Sequence, residues 1–244
     1  MNSQDESIEA IGLVKSYNGK CVVDHIDLRL SRKQIIGLLG PNGAGKTSTF
    51  YMVIGLTRPD GGNVFLDGQD ITKDPMYIRA RKGIYYLSQE PSVFRKLTVE
   101  ENLLVIMENL DIPSHEINER LKGLLQELDI SSLAKQKASS LSGGERRRLE
   151  ITRALITEPR FMLLDEPFAG IDPLALNDIK QIIRHLKERG IGIIISDHNV
   201  RETLDVCDSA YIINHGKIIE HGPPEKIVDS QIARNVYLGA DFSL

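Results

Sequence analysis

The sequence predicts an α/β protein with a parallel-sheet core, an antiparallel β layer at its front and an inserted helical subdomain in its middle. Three observations lead there. Short apolar runs of strand length recur between helical patterns at 34–39, 161–164 and 191–196, as strands buried on both faces of a parallel sheet do. The first thirty residues instead alternate apolar and polar, and Asn18-Gly19 lies between the runs 8–17 and 21–30, a two-residue hairpin signal. From Thr98 to Ser140 the period turns helical, first over 99–107 and again over 117–128, with almost no strand signal.

A chain of 244 residues buries a sizeable core and exceeds the usual single-domain size, which fits one large domain with an insertion better than two independent domains. We expect residues 1–97 and 141–224 to form the core with its β layer, 98–140 the helical subdomain, and 225–244 a tail made of a short helix and a partly apolar end. There is no internal repeat and no low-complexity tract. Thirty Lys and Arg against 34 Asp and Glu give a net charge of −4, which speaks against the broad basic surface that nucleic acid requires. Cys21 and Cys207 form neither a C-x-x-C pair nor a metal cluster, as expected in a reducing compartment. The polar, acidic start lacks the basic and apolar regions of a secretory signal, and no apolar run reaches the roughly 18 residues that span a bilayer. The expectation is a cytoplasmic chain, with any membrane crossed by another protein.

Gly40-Pro41-Asn42-Gly43-Ala44-Gly45-Lys46-Thr47, followed by Ser48, matches the phosphate-binding loop G-x-x-x-x-G-K-[ST], in the required place between an apolar strand and a helix. Backbone N–H groups must point inward around phosphates, and Gly43 and Gly45 remove the side chains that would obstruct them, while the helix offers its positive end. Lys46 then meets the β- and γ-phosphates of ATP and Thr47 holds Mg²⁺. The strand at 161–164 ends in Asp165 and Glu166, placing two carboxylates where parallel sheets bind ligands. Asp165 suits the metal and Glu166 the attacking water. Taken alone, the pair can also be read as an acidic loop closing a strand, a reading that the P-loop upstream displaces.

Leu141-Ser142-Gly143-Gly144-Glu145 reads locally as a capping box opening the next helix. A helix start with two glycines and a hydroxyl is also a second anion site, for which one chain with one phosphate-binding loop has no obvious use.

With these motifs the sequence resembles the ABC ATPase family over nearly its whole length. That family's signature reads LSGGQ, and Glu145 stands where Gln is usual. The resemblance implies the ABC type of P-loop NTPase fold and a homodimer packed head to tail, in which Ser142, Gly143, Gly144 and Glu145 of one subunit contact the γ-phosphate held by the other. It also implies that Gln89 is the Q-loop residue, near the metal and the water, that Asp172 is in the D-loop, that His198 is the switch histidine and that Tyr17 stacks on adenine. Each has a plainer reading: Gln89 as a solvated loop residue, Asp172-Pro173 as a helix cap, His198 and Tyr17 as ordinary strand-end residues.

Within the family, three stretches (142–151, 164–173 and 196–204) and the tail 237–244 are similar to the ATPases of bacterial lipopolysaccharide export. The first three are partly shared with branched-chain amino-acid importers, so the tail discriminates best. This likeness implies two transmembrane permease subunits docked near Phe94, and membrane association through those partners on the cytoplasmic face of the inner membrane. The competing reading of Phe94 is a core residue. A soluble ABC ATPase acting on DNA or ribosomes usually carries long coiled-coil insertions or tandem cassettes, which this chain lacks. A P-loop kinase or GTPase has no use for residues 141–145.

Overall fold

A computed structural model describes residues 6–110, 112–239 and 242. Strands β1 (Ser7–Tyr17) and β2 (Lys20–Ser31) pair antiparallel, with Tyr17 opposite Lys20. Asn18 and Gly19 turn between them with φ of 50° and 78°, the left-handed pair that a tight hairpin needs. With β4 (Gly61–Leu66) and β5 (Gln69–Asp70) they form a four-stranded sheet in the order β2-β1-β4-β5.

The second sheet takes β3 (Ile35–Leu39), β6 (Ile84–Leu87), β7 (Phe161–Asp165), β8 (Gly192–Ser196), β9 (Ser209–Asn214) and β10 (Lys217–Gly222) in the order β10-β9-β3-β8-β7-β6. The pairs joining β9, β3, β8, β7 and β6 are parallel, and β10 closes the edge antiparallel. Successive side chains of a strand point to opposite faces. Ile35 and Leu39 therefore enter one buried cluster and Ile36 and Leu38 the other, just as Met162 and Leu164 separate from Phe161 and Leu163. One cluster fills the space between the two sheets and under α1 (Lys46–Ile54), whose buried side chains include Phe50 and Met52. The other lies beneath the remaining helices. Burial on both faces is why these strands read as unbroken apolar runs.

Helix α2 (Met76–Arg81) precedes β6, and the chain leaves the sheet at Leu87 to return beside it at Phe161. Between these points lie α3 (Val99–Met107), α4 (Ser114–Glu127), two short 3₁₀ turns and α5 (Gly143–Leu155). The stretch 98–140 is helical but not free of strand pairing, since Thr98 and Lys137 form an isolated antiparallel bridge. Its apolar residues Val99, Leu103 and Leu124 join the same cluster as Ile193 and Met162.

Helices α6 (Pro173–Glu188) and α7 (Val200–Val206) flank β8, and α8 (Pro224–Asp229) opens the tail. The tail continues helically through Gln231–Ala233 into a wider turn at Arg234–Leu238, beyond the single short helix expected. Tyr237, Leu238 and Phe242 pack against the core. Residues 240, 241, 243 and 244 of the discriminating tail, like the first five of the chain, lie outside the described residues. No helix among the described residues is long and apolar enough to cross a membrane.

Candidate nucleotide-binding site

Strands β3, β8 and β7 are neighbours in the sheet, and the P-loop, His198 and the Asp165-Glu166 pair lie at their C-terminal ends, where parallel sheets bind ligands. Gly40 has φ of 147°, and a Cβ there would stand 2.0 Å from the Ile213 carbonyl oxygen. Gly45, at φ 112°, would place a Cβ 2.5 Å from the Val22 carbonyl oxygen. Gly45 thus makes room for the backbone of β2, a different reason from the phosphate clearance expected of it. At Gly43 φ is 75° and nothing lies within 4 Å of where a Cβ would be, so no contact within the protein accounts for the glycine.

Lys46 is buried, and its ammonium donates to the carbonyls of Gly40 at 2.7 Å and Pro41 at 3.0 Å. Burial lowers its pKa, with the nearby Glu166 and Asp165 charges opposing. Asn42, Thr47, Ser48, Asp165, Glu166 and His198 line a cavity of about 340 Å³ with this loop. Asp165 is buried at the end of β7, where its Oδ2 accepts the Tyr86 hydroxyl at 3.0 Å. Burial raises its carboxyl pKa, against that hydrogen bond and the positive charge of Arg147.

Glu166 is gripped from both sides. Gln89 Nε2 donates to Oε2 at 2.7 Å, and His198 Nε2 lies 2.6 Å from Oε1. Gln89 and His198, distant in sequence, thus meet on the carboxylate of Glu166. Its own backbone sits at φ 47°, a conformation uncommon outside glycine.

The signature segment forms a capping box at the start of α5, with Ser142 Oγ accepting Glu145 N–H at 3.3 Å and Glu145 Oε2 accepting Ser142 N–H at 2.8 Å. A Cβ on Gly143 would stand 2.7 Å from the Gly170 carbonyl oxygen, and one on Gly144 would stand 2.7 Å from Ala175 Cβ. The glycines let α5 begin directly against the turn before α6. Asp172 caps α6, its Oδ1 accepting Leu174 N–H at 3.1 Å and Ala175 N–H at 3.0 Å. Ser142, Glu145 and Asp172 do not line the P-loop cavity. Gly143 lines a second cavity of about 210 Å³ with Gln89, Arg146 and Gly170, and Glu166 is the residue that both cavities share.

The profile of the ABC transporter family matches residues 23–169. This chain belongs to the ABC transporter family. It is an ATP-hydrolysing subunit of an ABC transporter. The lipopolysaccharide export system ATP-binding protein LptB of Acidithiobacillus ferridurans is 52% identical over 239 residues, covering 98% of this chain and 99% of that one. The LptB of Escherichia coli K12 is 49% identical over 239 residues with the same coverage. A probable ABC transporter ATP-binding protein of Azorhizobium caulinodans is 53% identical, covering 98% of this chain and 85% of its own length. Among solved structures, the ADP conformation of MJ1267, an ATP-binding cassette of an ABC transporter, aligns with a TM-score of 0.86 at 27% identity, covering 96% of this chain and 99% of that one.

Against this ABC framework, Tyr17 stands apart. It is 43% exposed at the end of β1, with Lys15 Nζ 5.5 Å from its ring centre, and it does not line the P-loop cavity. Three residues at the site, Arg147 and Asp197 buried and Tyr86 partly so, were not singled out from the sequence. Tyr86 holds Asp165. Arg147 donates to the carbonyls of Ser88 at 3.3 Å and Asp165 at 3.2 Å and to Glu150 at 3.0 Å. Asp197 accepts backbone N–H groups of Phe168 and Asn199. A signal existed for Arg147, since 147, 150 and 153 share one helix face; Tyr86 and Asp197 carried none. A larger cavity of about 480 Å³, lined by Arg81, Lys82 and Arg160, opens at the opposite ends of β6 and β7. Two of these cations are already matched, Lys82 by Asp74 at 2.7 Å and Arg160 by Asp67, while Arg81 lies over the Tyr77 ring.

Proposed function

We propose that this ATPase powers lipopolysaccharide export as a head-to-tail homodimer beneath two transmembrane permease subunits, on the cytoplasmic face of the inner membrane. The observation that carries this reading is the near end-to-end identity of about half with LptB proteins from separate genera. In this reading residues 98–140 form a helical subdomain set into a core of 1–97 and 141–224, with 225–244 as a tail.

The loop amides and Lys46 bind the phosphates of ATP, and Gly43 leaves space for them. Thr47 and Asp165, with Gln89 as a further candidate, would offer the hard oxygen donors that Mg²⁺ prefers. Among the described residues no three His, Cys, Asp or Glu side chains gather as a metal cage, which suits a cation completed by phosphate oxygens and water. When bound, Mg²⁺ neutralises charge on the β- and γ-phosphates. Glu166 orients the attacking water and takes its proton. Gln89 and His198 hold that carboxylate in place, with His198 set to reach the γ-phosphate. Ser142 and its glycines, which do not line their own P-loop cavity, serve the partner's nucleotide in this reading, and Asp172 lies at the same seam. Tyr17, exposed at the end of β1, supplies a face for adenine in this reading.

Phe94 supports the docking assignment. It is 46% exposed rather than in the core, and the Arg153 guanidinium lies 4.9 Å from its ring centre. A rigid, exposed aromatic is a typical interface anchor. Pull-down from detergent-solubilised membranes is expected to recover two permeases with this chain, and Phe94→Ala to lose them while keeping nearly normal ATP hydrolysis when purified alone. Depletion in cells is expected to strand lipopolysaccharide in the inner membrane. Recovery of amino-acid permease subunits instead would move the chain to the importer branch.

A further inference from the structure

The turns that follow β7 and β8 meet at the catalytic end of the sheet, and one buried carboxylate joins them. Asp197 is 3% exposed and directly precedes His198. Its Oδ2 accepts the Phe168 N–H at 2.9 Å, across from the other turn, and its Oδ1 accepts the Asn199 N–H at 2.8 Å within its own. Phe168 lies two residues beyond Glu166 and is itself buried. Glu166, at φ 47°, donates its own N–H to the Ser196 carbonyl at 2.6 Å. A left-handed non-glycine conformation persists where its surroundings over-determine it. The Ser196 carbonyl and the Asp197 carboxylate provide that constraint from two adjacent residues.

We propose that Asp197 is a positioning residue for ATP hydrolysis, tying the turn that carries Glu166 to the turn that carries His198 and so fixing the contact between those two side chains. The proposal rests on Glu166 being the water-activating carboxylate. A carboxylate receives backbone N–H groups more strongly than a neutral acceptor does, and its short side chain leaves little play. Without the bridge, the Glu166 turn relaxes from its strained φ and its carboxylate shifts. A displacement of about 1 Å is enough to cost on the order of a hundredfold in rate. Asp197 does not line the P-loop cavity, so nucleotide binding is spared.

Asp197→Ser separates the two bonds. Its hydroxyl still accepts the N–H two residues on, as serine does in turns, but it is too short to span to Phe168. Since a shortened buried side chain can impair folding, Asp197→Asn repeats the measurement at constant volume, leaving one of the two N–H groups against an amide donor. In the purified full chain, both variants are expected to lower kcat about tenfold or more while KM and Mg-ATP affinity stay within about twofold. Added to Glu166→Gln, Asp197→Ser is expected to cost less than about twofold further, because it acts through the group already removed. Unchanged kcat in Asp197→Ser beside an inactive Glu166→Gln would overturn the proposal, as would parallel loss of kcat and nucleotide affinity. Substantial turnover in Glu166→Gln would instead remove the reading of Glu166 and the proposal with it.

Discussion

Under the proposed function, Lys46 serves both the loop and its ligand. Its ammonium is held by the Gly40 and Pro41 carbonyls at the mouth of a ring of amides, where phosphate oxygens make the stronger partners. Lys46→Ala is expected to abolish turnover and weaken ATP binding at least tenfold, measured as kcat together with nucleotide affinity; near-normal hydrolysis would contradict the P-loop assignment. Arg79 does different work. Almost fully buried, it donates to the carbonyls of Met52, Val53, Thr72 and Asp74, and burial lowers its pKa to about 10. Arg79→Met is expected to cost about 3 kcal/mol or more in urea unfolding, by orphaning several buried carbonyls; a loss under about 1 kcal/mol would mean that they find other donors. The P-loop and the Asp165-Glu166 pair could be proposed from contiguous motifs, and His198 only through the family resemblance. Arg79, Tyr86 and Asp197 could not be, because each acquires its role from a partner on another element.

At the scale of elements, α3 and α5 begin alike, with capping boxes at Thr98 and Ser142 in which side chain and backbone exchange hydrogen bonds. Thr98→Ala and Ser142→Ala are each expected to cost about 1 kcal/mol of stability. Turnover is expected to fall further in Ser142→Ala, and equal activity in the two variants would reduce Ser142 to its cap. The hairpins show how far turn chemistry can be read. Asn18-Gly19 and His215-Gly216 have nearly the same left-handed φ values, 50° and 78° against 47° and 79°. Asn-Gly announces such a turn through asparagine's tolerance of that conformation, whereas His-Gly does not, and β9 and β10 went unread. Strand β5 has two residues, too short for any alternation to register despite the Asp67-Gly68 turn before it.

For the whole molecule, the layered architecture was visible in the sequence because burial on both sheet faces leaves continuous apolar runs and burial on one face leaves alternation. How the layers face one another was not, since β3, β8 and β7 become neighbours through crossovers that no local pattern encodes. Ser142 does not line its own P-loop cavity, and under the proposed head-to-tail arrangement it acts on the other chain. A Lys46→Ala chain mixed with a Ser142→Arg chain is expected to regain part of the activity that each lacks, one intact site forming per mixed dimer. Mixtures that stay inactive, with heterodimers verified by mass, would rule out the head-to-tail arrangement.

Glu166 borders both cavities, one built for nucleotide and one that includes Gly143 of the signature segment. Under the head-to-tail arrangement, a solitary chain holds ATP without the second chain's contribution. Specific activity is then expected to rise with protein concentration in dilute solution; a flat profile would show a self-sufficient monomer. Surplus copies made by a cell would leave its ATP pool untouched, so fuel use would follow the number of assembled machines rather than the number of chains synthesised.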